Sequence, residues 1–390
     1  MSEICAIAFF PWWGTEVHAT IGPIRLLPFA KGRLPGALTH ISQSDIDGVL
    51  SAYANRPAHK VKSATLLEVD DWQTGKDPGG HLPRLFLARE SLGFASLASR
   101  KLFRGHFGYC CFDNFTLVVQ GYRPGQADSF AFTMRRRDGG STHMWSSDLF
   151  AFQRPLHVDS TPRTETLDEA LVCMLMDPAT PSHWINAVRE FNRANTDSPD
   201  IPLHVEMVMM KSAFEQLLGI NEKWQSFSHA LERVLPPVQT SARPATGILA
   251  QRWSDRFPSS PRRLQAWVKE FCARRGAAAH GNSIGGDPIW SDHAHLAFAA
   301  TLFPLVLKKL AAESGLYSML DEDLDHLARI EQYLEHDPFD YRDGDEDERQ
   351  QHPWVEIASD IRLRAISRRM CSPMKLEKGL GASLAEEQVR

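Results

Sequence analysis

PRRLQAWVKEFCARRGAAAHG, residues 261–281, spaces Leu264, Trp267, Val268, Phe271 and Cys272 at three- and four-residue intervals. That period is one face of an α-helix, with Pro261 placed as a first-turn proline. At 100° per residue Arg275 lies about 20° from Leu264, so a permanent cation sits on the apolar stripe. Arg274 points elsewhere. A guanidinium on such a stripe is paired, open to a cleft or placed at an interface. Five residues on, His280 adds an imidazole that titrates near neutral pH. Arginine and histidine together suit phosphodiester chemistry, one moving a proton and the other holding phosphorane charge. The same string also fits a helix-terminal arginine that snorkels to water beside a turn histidine.

Working outward, the flanking sequence predicts an all-α bundle over residues 180–335. Stripes recur at Trp184, Ile185, Val188 and Phe191, and at Met207, Met210, Phe214, Leu217 and Leu218 before Gly219. A third runs through Trp224, Phe227, Leu231, Val234 and Leu235 to Pro236-Pro237. The segment 238–261 reads as a loop with a short helix near 248–257. Further helices are expected over 296–310 and 320–334. Residues 1–165 read instead as β-rich, with strands at 4–10, 61–69, 85–88, 115–120 and 130–134 separated by Gly, Pro, Asn and Asp. Residues 130–145 form a hairpin pattern around Asp138-Gly139-Gly140. The predicted class is α+β in two domains: a β-sandwich or barrel-like domain, a linker near 158–166, then the bundle. An acidic to polar tail follows over 337–390, partly disordered or packed on the bundle.

Composition excludes more than it names. Of 390 residues, 43% are hydrophobic and 23% charged, as in a globular chain long enough for two cores. The start shows no secretory pattern, and the most apolar stretch, around 296–310, contains Pro304 and closes on Lys308-Lys309, so no membrane partner and a cytoplasmic setting are expected. Six cysteines without metal-ligand spacing read as buried reduced thiols. His293-Ala-His295 offers alternate helix positions that do not share a face, so no metal and no cofactor is predicted. The net charge of −5 argues against a constitutive nucleic-acid binder but hides an asymmetry. Residues 243–275 carry a balance of +6, and residues 321–349 a balance of −10. The basic segment, with Arg262, Arg263 and Arg274, is a candidate RNA footprint; the alternative is two solvated faces that partly neutralise each other.

The order of these motifs resembles the HEPN superfamily, in particular its Apea-like branch. Phe271 through Gly281 is similar to the arginine, four residues and His-Gly that follow an amphipathic helix there. Phe191-Asn192-Arg193-Ala194-Asn195 resembles the family's aromatic-Asn helix end, and Ala213 through Leu218 its leucine-rich helix with an embedded glutamate. The resemblance spans roughly 180–335, and the spacer Gly276-Ala277-Ala278-Ala279 is blander than the family's. It implies a metal-independent endoribonuclease in which the RNA 2′-hydroxyl attacks the adjacent phosphate, leaving a 2′,3′-cyclic phosphate. His280 would be the general acid/base, Arg275 the phosphate and phosphorane ligand, and Glu215 an orienting group or simply the i,i+4 partner of Lys211. Since five helical residues subtend about 140°, either the helix bends near Gly276 or a homodimer completes the site. The implied partners are RNA (tRNA or mRNA) and a phage-derived trigger acting through the N-terminal half, in an abortive-infection or toxin-like role. A catalytically inactive HEPN-fold scaffold is the alternative.

Overall fold

The computed structural model describes residues 5–36, 38, 41–56, 59–103, 108–127, 129–137, 139–146, 151–158, 167–221, 223–235, 252–253, 255–256, 262–280, 288–339 and 352–371. The side chains of 129–136, 139–145, 278–280 and 369–371 lie outside that description. The expected linker at 158–166, the loop at 238–251, Pro261 and the acidic run 340–351 therefore fall almost wholly outside it.

Alternation of apolar residues builds a sheet buried on both faces. Strands β1 (Cys5–Phe10), β2 (Ala19–Ile21), β3 (Ile24–Ala30), β6 (Ser63–Val69) and β7 (Val118–Tyr122) form an antiparallel sheet in the order β2-β3-β6-β1-β7. Ala6, Ala8 and Phe10 of β1 enter one core with Ile24, Leu26, Leu67 and Val69. Ile7 and Phe9 point the other way and join Leu27, Phe29, Ala64 and Leu66. This period of two is why β1 and β6 read clearly in the sequence, whereas β2 and β3 were not among the strands expected there.

What covers the two faces corrects the sandwich or barrel expectation. One face packs against α2 (Leu82–Ser99), through Leu85, Ala88, Leu92 and Ala95. The other lies under α1 (Gln43–Leu50) and a small sheet of β10 (Phe152–Gln153), β4 (Tyr53–Arg56) and β5 (His59–Lys60). Residues 85–88, read as a strand, are the start of α2. Nearly every residue from Ser91 to Leu97 is buried, so the helix has no polar stripe to reveal its period. A Cβ at Gly93 would fall 2.5 Å from the Phe112 ring, so only glycine allows that approach. The hairpin of β8 (Ser129–Arg136) and β9 (Gly139–Ser146) forms as predicted, but its last pair is Arg136 with Gly139, which moves both glycines into β9.

Helices dominate the rest. They are α3 (Glu169–Met176), α4 (Ser182–Arg193), α5 (Leu203–Leu218), α6 (Trp224–Val234), α7 (Arg263–His280), α8 (Asp292–Glu313), α9 (Asp321–Ala328) and α10 (Pro353–Cys371). Gly219 caps α5 at φ 61°, a left-handed turn that glycine adopts without strain. Arg252, Trp253, Asp255 and Arg256 are helical, in line with the short helix expected there. The helix predicted over 320–334 is α9 followed by a 3₁₀ turn, Ile330–Glu335. In the tail, α10 packs on the bundle through Trp354, Ile361 and Ala365.

Pro304 lies inside α8 without ending it. This helix alone among the described residues is long and apolar enough to cross a membrane, and most of it is buried in the bundle.

The larger core does not respect the expected division at 165–180. One cluster runs from Phe10 and Trp72 through α2 to Phe191, Phe214, Trp267 and Phe303. Phe94 of α2 meets Phe191 and Phe303 edge-on at 5.2 and 6.0 Å. The sheet half and the bundle therefore share a core, and removing residues 1–165 would strip apolar cover from the helices.

Candidate functional site

The seam between α5 and α7 gathers the residues singled out in the sequence. Lys211, with a side chain only 1% exposed, donates to Glu215 Oε1 at 2.7 Å and sits 4.9 Å from the centre of the Phe227 ring. Facing them on α7 is Cys272, whose thiol is pushed up to about 11, by burial first and by Glu215 against the opposing charges of Lys211 and Arg275. The four charge-bearing or titratable groups thus share one neighbourhood. Glu215 takes Lys211 as its partner, and among the described residues no hydrogen bond joins it to Arg275. Arg275 is half-buried, and its Nε, like that of Arg263, is sealed from solvent with no hydrogen-bond partner among the described residues.

The other arginines of the basic segment have a different fate. Arg262 donates through Nε and Nη2 to Glu331 Oε1 at 3.1 and 2.8 Å. Arg263 pairs with Glu335, Arg274 with Asp292, and Arg256 with the buried Glu270 at 3.6 Å. The bond to Asp292 holds the Arg274 guanidinium above its usual range and the Asp292 carboxyl below its own. Each guanidinium of Arg262, Arg263 and Arg274, the candidate RNA footprint, is thus bound by a carboxylate, two of them from the acidic segment. A phosphate would have to displace those partners.

Helix α7 continues without a break through Gly276 to His280. The helical backbone thus runs on past Gly276, and regular helix geometry places the backbone positions of Arg275 and His280 about 140° apart on the cylinder. The His280 side chain lies outside the described residues.

No sequence pattern marks the fastening below this end of the helix. Glu270, fully buried, accepts from the backbone N–H of Ile289 and Trp290, each at 3.0 Å, and bonds His295 Nε2 at 3.1 Å. Burial alone would raise its carboxyl. The bonds from His295 and from the two amides outweigh that and hold it below the usual carboxylate range. Asp337 accepts from Ser291 N at 2.6 Å, and Ser291 caps α8. The chain that leaves His280 is thus pinned where it re-enters at 289–291. His295 serves this clamp while His293 turns its ring to Phe339, 5.2 Å away, so the pair does not converge.

The aromatic-Asn element lies apart from the seam. Asn192 donates to Glu90 O and Oε2 at 3.0 and 2.7 Å, and Asn195 bonds Arg100, which ties α4 to α2. Two of the five free cysteines described, Cys110 and Cys111, are buried, whereas Cys173 is exposed, which corrects the expectation of uniformly buried thiols. Comparison with protein-family models, with curated proteins and with solved structures finds no match to this chain.

Proposed function

We propose that the protein is a metal-independent endoribonuclease whose site is the exit of α7, with Arg275 as the phosphate ligand and His280 as the proton-transfer group. The observation that carries this reading is the contrast at Arg275: it is half-buried and has no carboxylate partner among the described residues, while Arg262, Arg263 and Arg274 are all bound by carboxylates. A guanidinium held in that state costs desolvation without an ion pair in return, a cost that an incoming phosphate relieves. In the reaction the RNA 2′-hydroxyl attacks the adjacent phosphorus as His280 takes its proton. The P–O5′ bond breaks as the imidazolium gives that proton to the departing 5′-oxygen, and the product ends are a 2′,3′-cyclic phosphate and a 5′-hydroxyl. Arg275 stabilises the charge gathered on the phosphorane oxygens. Because the two residues lie about 140° apart on regular helix, the arginine of one copy and the histidine of a second complete the site across a two-fold axis.

The same separation favours a second reading, an RNA-inactive scaffold of this architecture, if the protein is a monomer. One experiment separates them. Full-length protein is incubated with total bacterial RNA in EDTA beside His280→Ala, and its mass in solution is recorded. Cleavage by the wild type alone, with cyclic-phosphate ends and a dimeric mass, is the expected result. Equal cleavage by the variant, or none by either protein, would reject the assignment.

A further inference from the structure

One end of the five-stranded sheet gathers cations that the fold does not pair. Residues 17–44 and 48–67 hold six Lys or Arg and no Asp or Glu. Of these, Arg25 is bound by Glu68 at 2.6 Å. The other five, Lys31, Arg33, Arg56, Lys60 and Lys62, are exposed and come together beyond the Ala30–Ser63 pair of β3 and β6. Lys31 N–H donates to Lys62 O at 2.7 Å, which carries the antiparallel register one step further, and Arg33 N–H turns back to Ala30 O at 2.9 Å. In the adjoining hairpin Ala54 pairs with Lys60 and Arg56 with His59, and only Val61 separates Lys60 from Lys62.

Among the described residues Lys31, Arg33, Arg56 and Lys62 have no carboxylate partner. Asp47 of α1 reaches the turn, but its Oδ1 accepts from Gly32 N–H at 3.3 Å and from Gln43 Nε2 at 2.9 Å. Even counting Asp47, five cations against one carboxylate leave a local balance of +4, in a chain whose net charge is −5. Lys31 directly opposite Lys62 costs stability rather than adding it, as like charges do across a β-ladder. A surface that keeps such a pair suits an anion supplied from outside. The rest of the patch narrows the kind of anion. None of the exposed large apolar side chains lies within residues 30–36 or 54–63. Protein and lipid partners are held through apolar or aromatic anchors, whereas a nucleic-acid backbone is held by cations and hydrogen-bond donors.

We propose that this end of the sheet binds the sugar–phosphate backbone of a nucleic-acid strand, with Lys31, Arg33, Arg56 and Lys62 on its phosphates. The assignment stands independently of the cleavage reading, and its probes cannot be cut by 2′-hydroxyl attack. They are labelled oligonucleotides of 2′-O-methyluridine and of deoxythymidine, whose fluorescence anisotropy is followed with the full-length protein at several salt concentrations. A Kd below about 10⁻⁴ M is expected for at least one of them, the weak limit of sequence-independent binding. Its log K should fall with log salt at a slope of about −3, from roughly −0.7 for each of four neutralised phosphates. The tighter probe shows whether the ribose or the deoxyribose backbone is preferred. Replacing all four residues (Lys31→Ala, Arg33→Ala, Arg56→Ala and Lys62→Ala) should weaken binding at least tenfold and flatten the slope. The urea midpoint of that variant should be no lower than that of the wild type, because a like-charge contact is removed. Polyglutamate of matched charge tests for an acidic polypeptide instead. No binding of either oligonucleotide in that range, undiminished binding by the folded variant, or polyglutamate bound as tightly as the better oligonucleotide overturns the proposal.

Discussion

The two ends of α7 carry the same residue type in opposite circumstances. At its entry Arg262 and Arg263 are bound by Glu331 and Glu335, and a turn from its exit Arg275 has no carboxylate partner among the described residues. The entry is a structural joint that fastens α7 to the 3₁₀ turn at Ile330–Glu335. The exit is an uncompensated cation beside the Lys211–Glu215 pair. Local positive charge is thus a poor guide to a polyanion site. What matters is which carboxylates the fold delivers, because a paired guanidinium has little left to offer a phosphate.

The largest effect expected along this helix lies between its ends. Glu270→Ala would leave two buried amides and His295 without their acceptor, and the loss should be about 3–5 kcal/mol, as for other broken buried ion-pair networks. Urea unfolding measures it; a change below about 1 kcal/mol would remove the clamp from the account. Next comes the pair that sets entry against exit. Arg275→Ala should reduce RNA cleavage by about 10²–10³-fold, the scale of losing one transition-state donor, with the unfolding midpoint nearly unchanged. Arg262→Ala should keep cleavage but cost about 1–3 kcal/mol, because it strands Glu331, whose side chain is 2% exposed. The reverse pattern would place the RNA contact at the entry and break the contrast.

The smallest effect concerns a carboxylate away from α7. Glu206 near the start of α5 has its carboxyl pushed up to about 7, by burial first and then by Asp197 and Asp113. A raised folded-state value means that the folded protein holds this proton more tightly than the unfolded chain does. Its contribution is complete below the ordinary carboxylate range and is lost as pH rises through 7. Glu206→Gln should therefore melt higher than the wild type at pH 8 and no higher at pH 4. A difference that does not change with pH would show that Glu206 titrates normally.

How much of this was legible in the sequence depended on whether an element buries one side or all of itself. Helices α4, α5 and α6 bury a stripe, so Phe191, Phe214 and Leu231 announce them at helical spacing, and Gly219 marks an end. The strands β1 and β6 alternate between two cores and were equally readable. In α2 burial of every residue from Ser91 to Leu97 erases the period there, and residues 85–88 were read as a strand. The core that sheet and bundle share through α2 was hidden for the same reason. Arg275 was visible as the cation on an apolar stripe. Its lack of a partner was not, and neither was the Glu270 clamp.

By itself the sequence determined the helical face from Leu264 to Arg275, the alternating strands, and the α+β order of the chain. These follow from interactions within a few residues, where spacing alone decides which side chains share a face. What needed the fold was that Glu331 and Glu335 neutralise the entry arginines, and that α7 continues unbroken past Gly276. It also decided that Lys308 meets Asp168 from 140 residues away and Asp323 from 15. Charge compensation in a folded chain is settled between elements distant in sequence, and no local pattern records which of them will meet.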